Sequence, residues 1–321
     1  MRFIVLFFCF FYCAFSLCAK DKSADGGNVA AYGSQKDYYK RQGSLSFKWD
    51  KRGRMLVPVA VAGLGDKYFL FDSGAGGTTL HVDQARLAGL TRQLGKTQQI
   101  VTATGVEYAG LYKVGGLSFG LRKLRRPALA ALPSEGEVGF GVLGLDLILW
   151  QVFEVYPAHQ KIHLYQYANH FEKKKNWQQA EKGDSRGNAV FIKLYIGGQA
   201  IEAMIDTGAS VSILNTAAAN KAALTIRQKG GKAMQRIIRG TGTTMVRGTD
   251  AVGAVGYRKQ GQLLNAEQRL IVADLPAFKV IGKDKEPFML LGMDILRQLP
   301  FVLDMRHSRL FYRLNMKQMK K

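Results

Sequence analysis

The sequence predicts an all-β fold with minor helix, arranged as two homologous lobes, and three observations carry that prediction. Apolar runs are short and repeatedly broken by glycine, which supplies 36 of the 321 residues. Stretches with helical spacing are few. The second half of the chain repeats the first.

Counting sets the repeat. Leu143–Leu164 aligns without gaps on Leu291–Tyr312 at an offset of 148, pairing Gly144 with Gly292, Asp146 with Asp294, Phe153 with Phe301 and His159 with His307. Further upstream the offset is 134, pairing Gly63 with Gly197, Asp72 with Asp206, Gly74 with Gly208 and Leu80 with Leu214. The offsets of 148 and 134 differ by 14, an insertion in the second half. So long a period exceeds those of solenoid repeats and implies two lobes instead.

Taken in chain order, the strand signals are Met55–Val61, Lys67–Phe71, Lys113–Leu117, Ala189–Ile196, Ile201–Ile205 and Gln268–Val272, short runs separated by turn residues. Helical patches fall at Val82–Ala88, at Thr216–Ala223 and just after Asp146 and Asp294, which are expected to act as N-caps. Lobe one is placed at 46–167 and lobe two at 188–315. A polar linker at 168–187 closes on turn formers. The segment 20–45 lacks periodicity and reads as a flexible tail, and 316–321 as a basic C-terminal tail.

The first residues read as an export signal at 1–19: Arg2, then an uninterrupted apolar run Phe3–Phe15, then small residues at Ser16, Cys18 and Ala19. The expected location is therefore periplasmic or secreted. A retained membrane anchor is the alternative, because the 17 uncharged residues Phe3–Ala19 approach the bilayer-spanning length. Cys9, Cys13 and Cys18 all lie in this segment, so cleavage after Ala19 leaves no thiol for a disulfide, nucleophile or metal site.

Charge is the extreme of the composition: 46 basic against 24 acidic residues, net +22. No recognisable nucleic-acid module accompanies it, which argues against sequence-specific DNA or RNA reading. It favours attraction to an anionic envelope surface or to acidic substrates, besides keeping an exported protein soluble.

The chemistry-bearing motifs sit within the repeat. Tyr-Phe-Leu-Phe-Asp72-Ser73-Gly74-Ala75 and Ala-Met-Ile-Asp206-Thr207-Gly208-Ala209 each end an apolar strand-like run, and each is followed by a Leu-Gly-x-Asp partner at Gly144-Leu-Asp146 or Gly292-Met-Asp294. One Asp-Thr-Gly recurs by chance; two in register, each with its partner, are specific. The pattern resembles the aspartic proteases, the retropepsin-like group in particular, over residues 55–165 and 188–315. Both half-sites lie on one chain, as in pepsin, so a monomer is expected.

This resemblance implies two acid-protease β-barrel lobes related by a pseudo-twofold, with Asp72 and Asp206 as a catalytic pair acting on a polypeptide substrate. Two carboxylates a hydrogen bond apart cannot both ionise cheaply and share one proton. The ionised member takes a proton from water while the protonated member donates to the scissile carbonyl. Neither cofactor nor metal is called for, and the five histidines show no metal-ligand spacing. Gly74 and Gly208 are expected to permit the tight turn. Ser73 and Thr207 are implied to exchange hydrogen bonds across the pseudo-twofold. Gly144, Gly292, Asp146 and Asp294 are read as scaffold behind the aspartate loops.

Flap candidates lie between each lobe's motifs, at Val101–Gly110 with Gly105 and Tyr108, and at Ile237–Val246 with Gly240 and Gly242. Gly-bearing tips between β-formers suit a mobile hairpin. Tyr108 is either a counterpart of the flap tyrosine of pepsin-like enzymes or an ordinary core or surface residue. The alternative function is a noncatalytic basic envelope protein holding peptides or glycans in its cleft; Gly76, standing where lobe two has Ser210, is the one departure that favours it.

Overall fold

The computed structural model describes residues 41–134, 139–185, 187–240, 244–257 and 263–313, with backbone alone at 263–266 and in a two-residue strand, Val5–Leu6. The export signal otherwise, its cysteines, most of the N-terminal tail, the C-terminal tail and Gly242 lie outside the described residues. Among those described, no helix is long and apolar enough to cross a membrane.

Strands dominate, as the glycine-broken runs require. In Met55–Val61, residues Met55, Val57, Val59 and Val61 are all buried while their neighbours are not, the period-two signature of a half-buried strand. Gly65–Phe71 ends instead in three consecutive buried residues, Phe69, Leu70 and Phe71, because it runs between an antiparallel and a parallel neighbour. The expected strand Lys113–Leu117 is corrected to two, Gly105–Lys113 and Gly116–Phe119. The break falls at Val114–Gly115, just past the Lys113–Ala128 pair, where the Val114 amide still donates to Pro127 O.

The two lobes match pairing by pairing. In lobe one Gly141–Leu143 runs parallel to Gly65–Phe71, and Ala128–Leu132 parallel to Thr79–His81. In lobe two Phe288–Leu291 runs parallel to Gln199–Ile205, and Leu263–Val272 parallel to Ile213–Leu214. Each sheet curls back on itself: Val61 pairs with Leu117, and Ile196 with Val255. The structure is thus two matching lobes of mostly β structure, as the repeat predicts.

Beneath the lobes lies a six-stranded sheet to which both contribute. Its spatial order is Trp177–Gln179, Arg309–Arg313, Phe301–Asp304, Val152–Tyr156, Lys161–Tyr165 and Arg41–Ser46. The central seam is antiparallel, with Val152 opposite Asp304 and Phe153 opposite Leu303. The two copies of the gapless repeat block therefore face each other across the seam. Segment 168–187 contributes helix Asn169–Glu172 and the edge strand Trp177–Gln179, and Phe171 and Trp177 pack there edge-on at 5.2 Å. The opposite edge begins inside the segment assigned to the tail. Phe153 projects from the seam onto Phe71, ring centroids 5.0 Å apart, so the shared sheet supports the strand that carries Asp72.

Candidate active site

Each motif aspartate sits one residue beyond the buried end of its strand. The Asp72 amide donates to Leu143 O at 3.1 Å, and the Asp206 amide to Leu291 O at 3.0 Å. Each loop then turns sharply, and in each one carboxylate oxygen accepts from the next two amides. Asp72 Oδ1 accepts from Gly74 N (2.8 Å) and Ala75 N (3.0 Å); Asp206 Oδ1 accepts from Gly208 N (2.8 Å) and Ala209 N (3.0 Å).

The neighbouring hydroxyls tie the lobes together. Ser73 N donates to Thr207 Oγ1 at 3.0 Å, and Thr207 N to Ser73 Oγ at 3.1 Å. Each hydroxyl donates onward into the opposite lobe, Ser73 to Ile205 O (2.9 Å) and Thr207 to Phe71 O (2.8 Å). Both side chains are fully buried, so all four bonds are shielded from water. They hold the two carboxyl groups within a hydrogen bond of each other.

The two glycines act through space across the interface. A Cβ on Gly74 would stand 2.9 Å from Asp206 Cγ, and one on Gly208 would stand 2.2 Å from Asp72 Oδ2. Neither glycine has positive φ, so the constraint is the opposite carboxyl group and not the turn conformation expected from the sequence.

Asp146 and Asp294 are not N-caps; that expectation is corrected. The caps of helices Leu145–Ile148 and Met293–Leu296 are Gly144 and Gly292. The carboxylates instead reach their own lobe's aspartate loop. Asp146 accepts from the amide and hydroxyl of Thr78, and Asp294 from those of Ser212. Thr78 and Ser212 are repeat mates at offset 134. Their hydroxyls in turn accept from Gly144 N and Gly292 N. A Cβ on Gly144 would meet Gly77 at 2.3 Å, and one on Gly292 would meet Val211 at 2.7 Å.

Electrostatics favour one proton held between the pair. Burial is the largest cause for both, raising Asp72 above the usual carboxylate range and Asp206 well above it. The charge of Asp72 raises Asp206 further, whereas Arg54 pulls Asp72 down. Asp206 is the more enclosed, 5% exposed, while Asp72 keeps an opening to the cleft. Burial and mutual repulsion both oppose full ionisation, so the pair titrates as a unit.

Above the carboxyls is a cleft of about 1220 Å³, open solvent included, lined by both lobes. Hairpins roof it where the sequence placed its flap candidates. Arg92–Thr102 turns at Ala103–Thr104 into Gly105–Lys113, and Gln235–Arg239 pairs with Met245–Gly256. The tips meet: a Cβ on Gly240 would lie 2.7 Å from Thr104 Oγ1, and one on Gly105 would lie 3.1 Å from Thr244 Oγ1. Gly240 lines the cleft with Ile100, Val101 and Ala103. Tyr108 does not. It is 74% exposed and shares the outer face of its strand with Val106.

Three cleft residues escaped the sequence. Arg54 is buried beside Asp50, its Nε donating at 2.7 Å, and its Nη1 reaches Gly208 O at 3.3 Å across the interface. Thr79 and His81 line the lobe-one wall. Only the repeat could have flagged them, since offset 134 sets them against Asn188, Ile213 and Asn215, chemically different residues. Among the described residues no group of three or more His, Cys, Asp or Glu side chains is placed to hold a metal.

Two stretches of the chain match known families. Residues 57–147 match the family described as "Aspartyl protease", and residues 192–298 match that described as "gag-polyprotein putative aspartyl protease". The chain belongs to the retropepsin-like aspartyl proteases, with two such regions in tandem. No curated protein matches it.

Proposed function

We propose that the protein is an aspartic endopeptidase that hydrolyses peptide bonds with a water activated between Asp72 and Asp206. The observation that carries this is the pair itself: two enclosed carboxyls in hydrogen-bond contact, one from each lobe, fixed by reciprocal Ser73 and Thr207 bonds at the floor of a roofed cleft.

In this reading Asp72, the lower of the two in pKa, takes a proton from the water as its oxygen attacks the scissile carbonyl carbon. Asp206 donates its proton to the carbonyl oxygen, giving a neutral gem-diol. Collapse returns the hydroxyl proton to Asp206 and passes the proton on Asp72 to the leaving nitrogen, so the C–N bond breaks and the starting state is restored. The hairpins that meet at Thr104 and Gly240 would move apart to admit a chain. The export signal read at 1–19 supports an activity outside the cytoplasm, on envelope or secreted polypeptides.

Incubation with a diverse peptide library, read by mass spectrometry, tests the proposal. Cleavage by the wild-type chain that vanishes in Asp72→Asn and in Asp206→Asn, each still folded, is the expected result. A folded wild-type chain that cuts nothing across about pH 3–8, the span over which a carboxyl pair of this kind changes protonation, would overturn it.

A further inference from the structure

Thr79 and His81 alternate on one face of strand Thr79–His81, and Leu80 between them is wholly buried on the other. Both line the cleft. His81 is only 1% exposed, and its Nδ1 lies 2.9 Å from Gly139 O. A carbonyl only accepts, so Nδ1 carries the hydrogen. In the neutral ring that leaves Nε2 as an acceptor, on a side chain that lines the cleft. Burial lowers the pKa of the ring and favours its neutral form; the Gly139 bond opposes this in part, Arg54 adds to it and Asp83 opposes it least.

The repeat supplies a control within the same molecule. At the position of His81 lobe two has Asn215, whose side chain is consumed by structure. Its Oδ1 accepts from Ala218 N and Phe288 N, and its Nδ2 donates to Lys283 O and Glu286 O. His81 occupies the same N-cap position before helix Val82–Leu87 but makes no cap bond. The wall around it differs in the same sense. Thr79, Gly77 and Val142 stand where lobe two has Ile213, Val211 and Leu290, all six lining the cleft. Lobe one thus presents a roomier wall with two polar groups, and lobe two a filled apolar one.

We propose that this difference gives the cleft a direction: the lobe-one subsite takes a carboxamide side chain, Gln or Asn, and the lobe-two subsite an apolar one. The amide N–H donates to His81 Nε2, and the amide oxygen accepts from the Thr79 hydroxyl. A side chain of equal size without the donor leaves a desolvated acceptor unpaired. The inference rests on the peptidase reading above.

The test compares kcat/KM on peptides that differ at one position flanking the cut, Gln against Met and Asn against Leu. The wild-type chain is expected to favour the carboxamide by about tenfold or more on one side of the cut only. His81→Asn keeps a donor for Gly139 O and removes Nε2, and Asn215 shows that the architecture accepts asparagine there. It should collapse the ratio to near one, with thermal melting confirming the fold. Thr79→Val should lower the ratio partway. Cleavage by the wild-type chain with an apolar preference on both sides, or a ratio untouched by His81→Asn, overturns this inference and leaves the peptidase reading standing. Failure of the wild-type chain to cut any peptide overturns both.

Discussion

The two lobes share one backbone plan and assign its equivalent positions to different tasks. In lobe two the position after the short strand is Asn215, which ties a helix cap and a loop into place through four hydrogen bonds. In lobe one it is His81, bound once to the backbone and turned to the cleft. Arg54, whose guanidinium draws Asp72 toward the charged form, likewise has the uncharged Asn188 as its repeat mate. The groups that hold the pair together are instead kept alike: Ser73 with Thr207, Thr78 with Ser212, Asp146 with Asp294. The positions that tie the lobes together are thus alike in the two halves, whereas the cleft positions Arg54 and His81 differ from their mates. A retroviral dimer of identical subunits has no such freedom, because each change appears on both sides.

The comparison breaks most sharply at the aspartates. Asp72→Asn and Asp206→Asn should each reduce kcat/KM by about 10²–10⁴, the range expected for loss of a general acid or base. The losses should be of similar size, since neither half can work alone; an Asp72 variant with near-wild-type turnover would make lobe one vestigial. The two variants should part company in stability. Asp206 has a raised native pKa, so the folded chain holds that proton more tightly than the unfolded one. Its contribution is fully present below the ordinary carboxylate pKa and is lost as pH rises through the native value. An uncharged amide at that position escapes the loss. Urea midpoints of Asp206→Asn should therefore gain on wild type between acid and neutral pH, and by more than those of Asp72→Asn.

The cross-lobe hydroxyls sharpen the comparison next. Thr207→Ala strands the Ser73 amide and the Phe71 carbonyl, and Ser73→Ala strands the Thr207 amide and the Ile205 carbonyl. About 1–3 kcal/mol is expected for each buried group left unpaired, with near-equal losses in chemical denaturation because the two sets of bonds are alike. A Ser73 variant much milder than its mate would show that the interface is held chiefly from lobe two.

Capping separates the lobes at smaller scale. Asn215→Ala should cost about 1–2 kcal/mol for the cap alone, and more for the loop carbonyls it abandons. The same measurement on His81→Ala should show the lesser loss, since one bond to Gly139 O is removed. Equal losses would place His81 among the structural residues.

The mildest effect expected is on pH dependence. Many pepsin-like enzymes carry Ser or Thr three residues after the catalytic aspartate, where this chain has Ala75 and Ala209. At those positions the structure shows only backbone amides donating to the carboxylates. An added hydroxyl that donates would favour the charged form. Ala75→Ser and Ala209→Ser should thus move the acid limb of kcat/KM downward, and the wild-type optimum should be less acidic than in digestive pepsins. Serine variants that move it upward would refute the argument.

The sequence by itself determined the architecture and the family. Two Asp-(Ser/Thr)-Gly-Ala motifs, each with its Leu-Gly-x-Asp partner at fixed offset, specify lobes, order and class, because an Asp–Gly turn at the end of a buried strand is a local property that residue identity states directly. Only the tertiary structure decided the rest. That Asp146 and Asp294 brace the Thr78 and Ser212 loops instead of capping their own helices depends on approaches across 68 and 82 residues. That Tyr108 faces outward depends on which face of the Gly105–Lys113 strand the cleft adopts, which a one-residue change of register would reverse. Phe153 and Leu303 meet only because both lobes give strands to one sheet. The environments of Arg54 and His81 arise where segments far apart in the chain converge. Burial, tautomer and shared protons are properties of such convergences, and no local pattern of residues encodes them.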